Sequence, residues 1–145
     1  MKKISVILSV ITILVFSTGC DSEGRGFALP PGDAEVGRTT FVELACVDCH
    51  SIRGEESDEI TREVHVALGG PTTRVRSYGE LVTSVINPSH RLARAVSGNV
   101  SNDSGVSQMR NYNAVMTVQQ LVDLVTFLQT KYEVVIPQSR YSSYY

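Results

Sequence analysis

The sequence predicts an all-α domain of three to five helices. Three observations carry this. Apolar residues recur at helical spacing in 118–132 and again in 77–86. An aspartate at 33 stands where a helix cap is wanted, ahead of a further helical candidate. Nowhere do strand and helix patterns alternate as a βαβ unit requires. The 145 residues suffice for one domain. Basic and acidic residues number 13 and 15, so the basic stripe expected of a nucleic-acid-binding protein is lacking.

The elements follow in chain order. Lys2 and Lys3 precede "ISVILSVITILVF", a run of 13 uncharged, mostly apolar residues. A spanning helix needs about 20. A basic start and a short apolar run ending in small residues read as a secretory signal over 1–19. The alternative, a buried N-terminal helix, is disfavoured because the run has no polar face. The segment ends "FSTGC", which resembles a bacterial lipoprotein signal in which Cys20 becomes the lipidated N-terminus. Gly19 and Cys20 fit that pattern. Ser17 departs from it, since leucine is usual there. Ordinary cleavage nearby, leaving Cys20 free or removed, is the alternative. Each lipid methylene buried in a membrane would contribute about 0.8 kcal/mol. Loss of Lys2 and Lys3 takes the net charge from −2 to −4. Residues 20–32, rich in glycine and proline, form a flexible linker. Asp21 resembles the inner-membrane retention signal of some bacterial lipoproteins.

The first helix is expected over "DAEVGRTTFVELACVDCH", 33–50, capped by Asp33 with Glu35 in its first turn. Gly37 and Phe41 share one face of it. Its end reads Cys-Val-Asp-Cys-His, residues 46–50. In an exported chain this is the attachment motif of haem c. The thiols of Cys46 and Cys49 add across two vinyl groups, and His50 supplies an imidazole to the iron. With Cys20 on lipid, no cysteine is left over. A thiol-redox site also uses this cysteine spacing, but favours a βαβ setting. Structural zinc needs two further ligands, and the other histidines, His65 and His90, are isolated in sequence.

From about 33 to 133 the chain resembles a class I, mono-haem c-type cytochrome of the bacterial lipoprotein type. The resemblance implies a cytochrome c-like fold wrapped around one covalently bound haem c. It implies a first helix crossing the last near Gly37 and Phe41. It further implies that "GGP" at 69–71 is the family's glycine-proline, with the Pro71 carbonyl accepting a hydrogen bond from His50. Arg74, Arg76 and Tyr78 become candidates for the haem carboxylates, which suit arginine forks.

The acidic run Glu55, Glu56, Asp58 and Glu59 reads as a solvated loop, or as a face for a basic redox partner. "REVHVAL" alternates as a short strand would, with His65 an ordinary histidine within it. A middle helix is expected at 77–86, with Leu81, Val82, Val85 and Ile86 on its buried side and Asn87-Pro88 ending it. "INPSHRLARAV" predicts a short helical restart carrying His90, a surface histidine or, less favourably, a sixth ligand.

The chain is then polar from 97 to 113, and a loop this long in a compact domain is usually functional or disordered. Met109 is the one soft, strongly apolar side chain in its second half. Met116 has another use. Thr117 and Gln120 form a capping box at the start of the last helix, so Met116 and Leu121 make its hydrophobic staple. In the family the ligand methionine lies in a loop before the last helix, often as Met-Pro followed by an aromatic. Met109 and Tyr112 match, whereas Arg110 stands in place of the proline. His50 and Met109 are the expected axial pair, with Tyr112 in the haem pocket. The last helix, 118–132, presents Leu121, Leu124, Val125, Leu128 and Tyr132 as one stripe, extended by Phe127, and Lys131 suits its C-terminal dipole.

The domain is expected at 33–134, followed by a tyrosine-rich tail at 135–145. The function expected is one-electron transfer, without enzymatic turnover, on the periplasmic side of the bacterial inner membrane. The expected partners are a respiratory complex, an oxidase or a dehydrogenase, with the membrane engaged through the lipid. The alternatives are a haem c gas sensor or weak peroxidase with a labile sixth ligand, and a thiol-redox or metal-handling module.

Overall fold

The computed structural model describes residues 29–55, 62–94 and 97–136. The secretory segment, Cys20, most of the linker, Glu56 to Glu59 and most of the tail lie outside those residues.

Helix α1 spans Ala34–Glu43. The Asp33 carboxylate accepts from the amides of Glu35 at 2.8 Å and Val36 at 3.2 Å, covering donors that a helix start leaves orphaned. The helix is shorter than the expected 33–50. Leu44 caps it, Ala45 takes a left-handed conformation with φ 55°, and Cys46–Asp48 form a separate 3₁₀ turn. A left-handed residue cannot continue a right-handed helix. The chain thereby turns and presents Cys46, Cys49 and His50 away from the α1 axis.

The three helices lie within the expected three to five and carry the fold. Beside them, among the described residues, four three-residue strands form two parallel pairs. Strand β1, His50–Ile52, pairs with β2, Val66–Leu68, placing His50 opposite Val66. Strand β3, Gly70–Thr72, pairs with β4, Tyr132–Val134. Only β2 shows alternation in its sequence. The Gly-Pro content of β3 argues against a strand, and three residues are too few to establish a period.

Helix α2 spans Tyr78–Ile86 and starts with a capping box. The Glu80 amide donates to the Ser77 hydroxyl at 3.2 Å, and the Ser77 amide to the Glu80 carboxylate at 3.4 Å. Leu81 and Val85 are buried, Val82 is half-buried and Ile86 is exposed. The helix stops at Asn87, ahead of Pro88. No helical restart follows among the described residues 88–94, which form turns and irregular chain. Only a single turn closes there, with the His90 amide donating to Asn87 at 3.1 Å.

Among the described residues 97–117 there is no helix, and two isolated bridges, His65–Ser97 and Ser101–Ser107, organise the chain. The polar residues earn their place by bonding the local backbone. The Asn102 side chain accepts from the Ser104 amide at 3.0 Å and from Val106 at 2.9 Å, an Asx turn.

Helix α3, Val118–Thr130, carries the capping box expected at Thr117 and Gln120. It crosses α1 at Gly37. A Cβ placed on Gly37 would lie 2.0 Å from the Asp123 carbonyl oxygen, so only glycine permits this approach. Beside the crossing the Phe41 and Phe127 rings pack at 5.9 Å, tilted by 55°. The buried Asp123 accepts from the Asp33 amide at 2.8 Å and from the Gln119 side chain at 2.9 Å, tying the start of α1 to α3. Leu124, Val125, Phe127 and Leu128 join Phe41, Ile52, Leu81 and Val85 in the core, with Leu121 half-buried against it. Tyr132 lies past the helix end and opens β4. Lys131 caps α3 and pairs with Glu55 at 2.5 Å, and its charge lies 4.7 Å from the Phe127 ring. The Lys131 hydrogen bond holds the Glu55 carboxyl below its usual range.

Candidate functional site

The turn at Ala45 and strand β1 place Cys46, Cys49 and His50 around a recess between the three helices. The recess has two adjoining cavities, of about 730 Å³ and about 350 Å³. Phe41, Leu81, Val85, Leu124 and Leu128 give the larger one apolar walls. Cys46, His50, Val66, Ala93, Met109 and Tyr112 line both cavities. Cys49 lines the smaller, Met116 only the larger.

His50 is oriented by the β1–β2 ladder. The Val66 amide donates to the Cys49 carbonyl at 2.9 Å, and His50 Nδ1 lies 3.1 Å from the Val66 carbonyl oxygen. A carbonyl only accepts, so Nδ1 carries the proton and Nε2 keeps its lone pair for a metal. Burial lowers the His50 pKa, and the Val66 bond opposes that fall. Burial is the larger effect and favours the neutral imidazole, the ligating form. The expected acceptor for His50, Pro71, is therefore corrected to Val66. Pro71 is exposed in β3, paired with Glu133, and lines neither cavity. No side-chain signal marks Val66, because a backbone oxygen does the work. The alternation in "REVHVAL" is the only trace of it in the sequence.

The Cys46 thiol is pushed up to about 11 by burial. A thiol so raised is protonated near neutrality, which disfavours a reactive redox thiolate. The Tyr112 hydroxyl donates to the Leu44 carbonyl at 2.8 Å and lies beside the Cys46 thiol. Burial raises the Tyr112 pKa, and the neighbouring Cys46 adds to the rise. Tyr112 thus lines both cavities of the recess. Among the described residues no three His, Cys, Asp or Glu side chains cluster as metal ligands.

Two thioethers, one free imidazole nitrogen and two thiols around an apolar recess fit haem c. Residues 34–131, about two thirds of the chain, match the family model for cytochrome c. The chain belongs to the cytochrome c family. Its cofactor is haem c, attached covalently. No curated protein and no solved structure matches this cytochrome significantly.

The polar rim of the larger cavity holds Arg74, Arg76, Arg91, Arg94, His90 and one acid, Glu80. All four arginines are exposed. Glu80 pairs with Arg74 and, at 3.1 Å, with Arg91. The Arg76 guanidinium lies 5.9 Å from the Tyr132 ring. Arg74 and Arg76 thus both lie at the rim of the larger cavity. Tyr78 packs against the core and is not among the residues lining the cavity. Arg91 and Arg94 were not anticipated. Their spacing in "HRLARAV" reads as a helix surface, and only the irregular path of 88–94 turns them to the cavity.

Proposed function

We propose that this cytochrome is an exported, membrane-tethered one-electron carrier with His50 and Met109 as axial ligands. The observation that carries the ligand assignment is the cavity pair. Met109 faces both cavities together with His50, while Met116 lines only the larger and packs against the core. When bound, haem c supplies reversible one-electron cycling of its iron, and methionine–histidine ligation raises its potential. The protein's own residues hold the imidazole in one tautomer, wall the ring with apolar side chains and put cations at one rim. With His50 and Met109 both holding the iron, no open position would remain for a substrate, which favours electron transfer over catalysis or gas sensing.

The localisation rests on the sequence. A basic start, a short apolar run and "FSTGC" support export and lipid attachment at Cys20. A respiratory complex, oxidase or dehydrogenase on the periplasmic face of the inner membrane then serves as partner. An optical redox titration of the holoprotein tests this reading. A single one-electron transition is expected, with the ferric far-red methionine-to-iron band present and no carbon monoxide binding to the reduced form. A reduced form that binds carbon monoxide readily would favour the gas-sensor or peroxidase alternative. For the tether, metabolic labelling with a fatty acid should mark the native chain and leave Cys20→Ser unmarked.

A further inference from the structure

Beyond its local turns and bridge, the Met109 segment has no helix or proline to fix its placement. No proline lies between Pro88 and Pro137, and among the described residues 97–117 there is no helix. Its position must come from bonds to other elements. Four such bonds involve side chains. The Ser97 hydroxyl donates to the Glu63 carbonyl at 3.1 Å. The Ser107 amide donates to the Ser89 hydroxyl at 3.1 Å. The Asn113 side-chain amide donates to the Ile86 carbonyl at 2.9 Å. The Tyr112 hydroxyl donates to the Leu44 carbonyl at 2.8 Å.

The last two acceptors are alike. Ile86 is the last residue of α2 and Leu44 is the C-cap of α1. Carbonyls at helix C-termini have no partner within the helix. Two adjacent side chains thus hang the loop from the ends of two different helices. Tyr112 is the buried member of the pair, and Leu44 lies two residues before Cys46.

We propose that the Tyr112 hydroxyl is a positioning group for the sixth ligand, with Asn113 as its second anchor. The Tyr112–Leu44 bond fixes the Met109 loop relative to the segment that carries Cys46, Cys49 and His50. The two axial ligands are then held to a common reference, and a stiff proline at position 110 is unnecessary. This rests on the assignment of Met109 as ligand.

The test uses the holoprotein and the ferric far-red methionine-to-iron band. Tyr112→Phe keeps the ring packing and removes only the donor. Losing one hydrogen bond to an otherwise unpaired carbonyl should raise the ratio of ligand-off to ligand-on protein roughly five- to tenfold. The band should therefore disappear at a pH about one unit lower than in the native protein. Asn113→Ala should shift it in the same direction, and the double variant further. Asp33→Ala weakens the α1 cap without touching the loop, so it should lower the denaturation midpoint and leave the pH midpoint of the band unchanged.

A Tyr112→Phe midpoint equal to native would overturn the proposal, as would an equal shift in Asp33→Ala. Met109→Ala separates the two failures. If that variant keeps the band, the ligand assignment is wrong and the proposal falls with it. If it loses the band while Tyr112→Phe is unmoved, the brace alone is wrong.

Discussion

Replacing Gly37 by alanine adds one methyl group where the structure has no room for it. The new Cβ would lie 2.0 Å from the Asp123 carbonyl oxygen, 2.5 Å from its carbon and 2.8 Å from the Phe127 Cβ. Ordinary contact begins near 3.4 Å, so α1 and α3 must part by about 1.4 Å. Two of the three clashing atoms are backbone, so no rotamer change relieves them. Overpacking of this kind costs about 1–3 kcal/mol, and the absence of side-chain relief places Gly37 at the upper end. Against this, alanine in a helix interior gains about 1 kcal/mol over glycine. The net expectation is a loss of about 2 kcal/mol.

Gly79, in α2, is the matched control. Nothing lies within 4 Å of a Cβ built there, and its φ is not positive. Gly79→Ala should gain about 0.4–1 kcal/mol by reducing the freedom of the unfolded chain. Urea unfolding of the holoproteins, followed by far-ultraviolet circular dichroism, should move the two midpoints in opposite directions at a common slope. If Gly37→Ala proves as stable as native while Gly79→Ala gains its increment, the close helix crossing is refuted.

Four other substitutions probe separate parts of the account. Glu55→Gln removes the partner of Lys131 and Arg38 and should destabilise by up to about 1 kcal/mol near neutrality, the range for partly exposed ion pairs. Because the folded pKa of Glu55 is lowered below 4.5, that difference should be full above 4.5 and vanish as pH falls through the folded value. Thermal melts of both proteins across that window check the sign. Thr117→Ala removes the cap of α3 and should lower stability by about 1 kcal/mol in a denaturant titration, leaving the spectrum of the cofactor intact. Cys46→Ala and Cys49→Ala should each leave haem on the denatured polypeptide after acid–organic extraction through the remaining thioether, whereas the double variant should release all of it.

The elements legible in the sequence are those whose signals are local. The Asp33, Ser77 and Thr117 caps each precede a helix, as their residue types predict. The α3 stripe is buried at Leu124, Val125 and Leu128, and the Gly37–Phe41 face does meet α3. What stayed hidden depends on contacts distant along the chain. The early end of α1 comes from a left-handed Ala45, a residue with no turn preference to announce it. The His50 acceptor is a backbone oxygen on a strand sixteen residues away, so a glycine-proline motif at 69–71 was the more visible and the wrong choice. Arg91 and Arg94 reach the cavity because 88–94 fails to become helix, which no periodicity reveals. Cys46, Cys49 and His50 were legible because their spacing is itself the chemical requirement.

The central claim is that iron in this cytochrome sits between His50 and Met109. The ferric far-red band, recorded for native protein, Met109→Ala and Met116→Ala at one pH near neutrality, tests it most directly. The band should be present in the native protein, absent in Met109→Ala and retained in Met116→Ala, whose side chain packs against the core at the start of α3. A band that survives Met109→Ala and vanishes in Met116→Ala would transfer the ligand to Met116 and contradict the account.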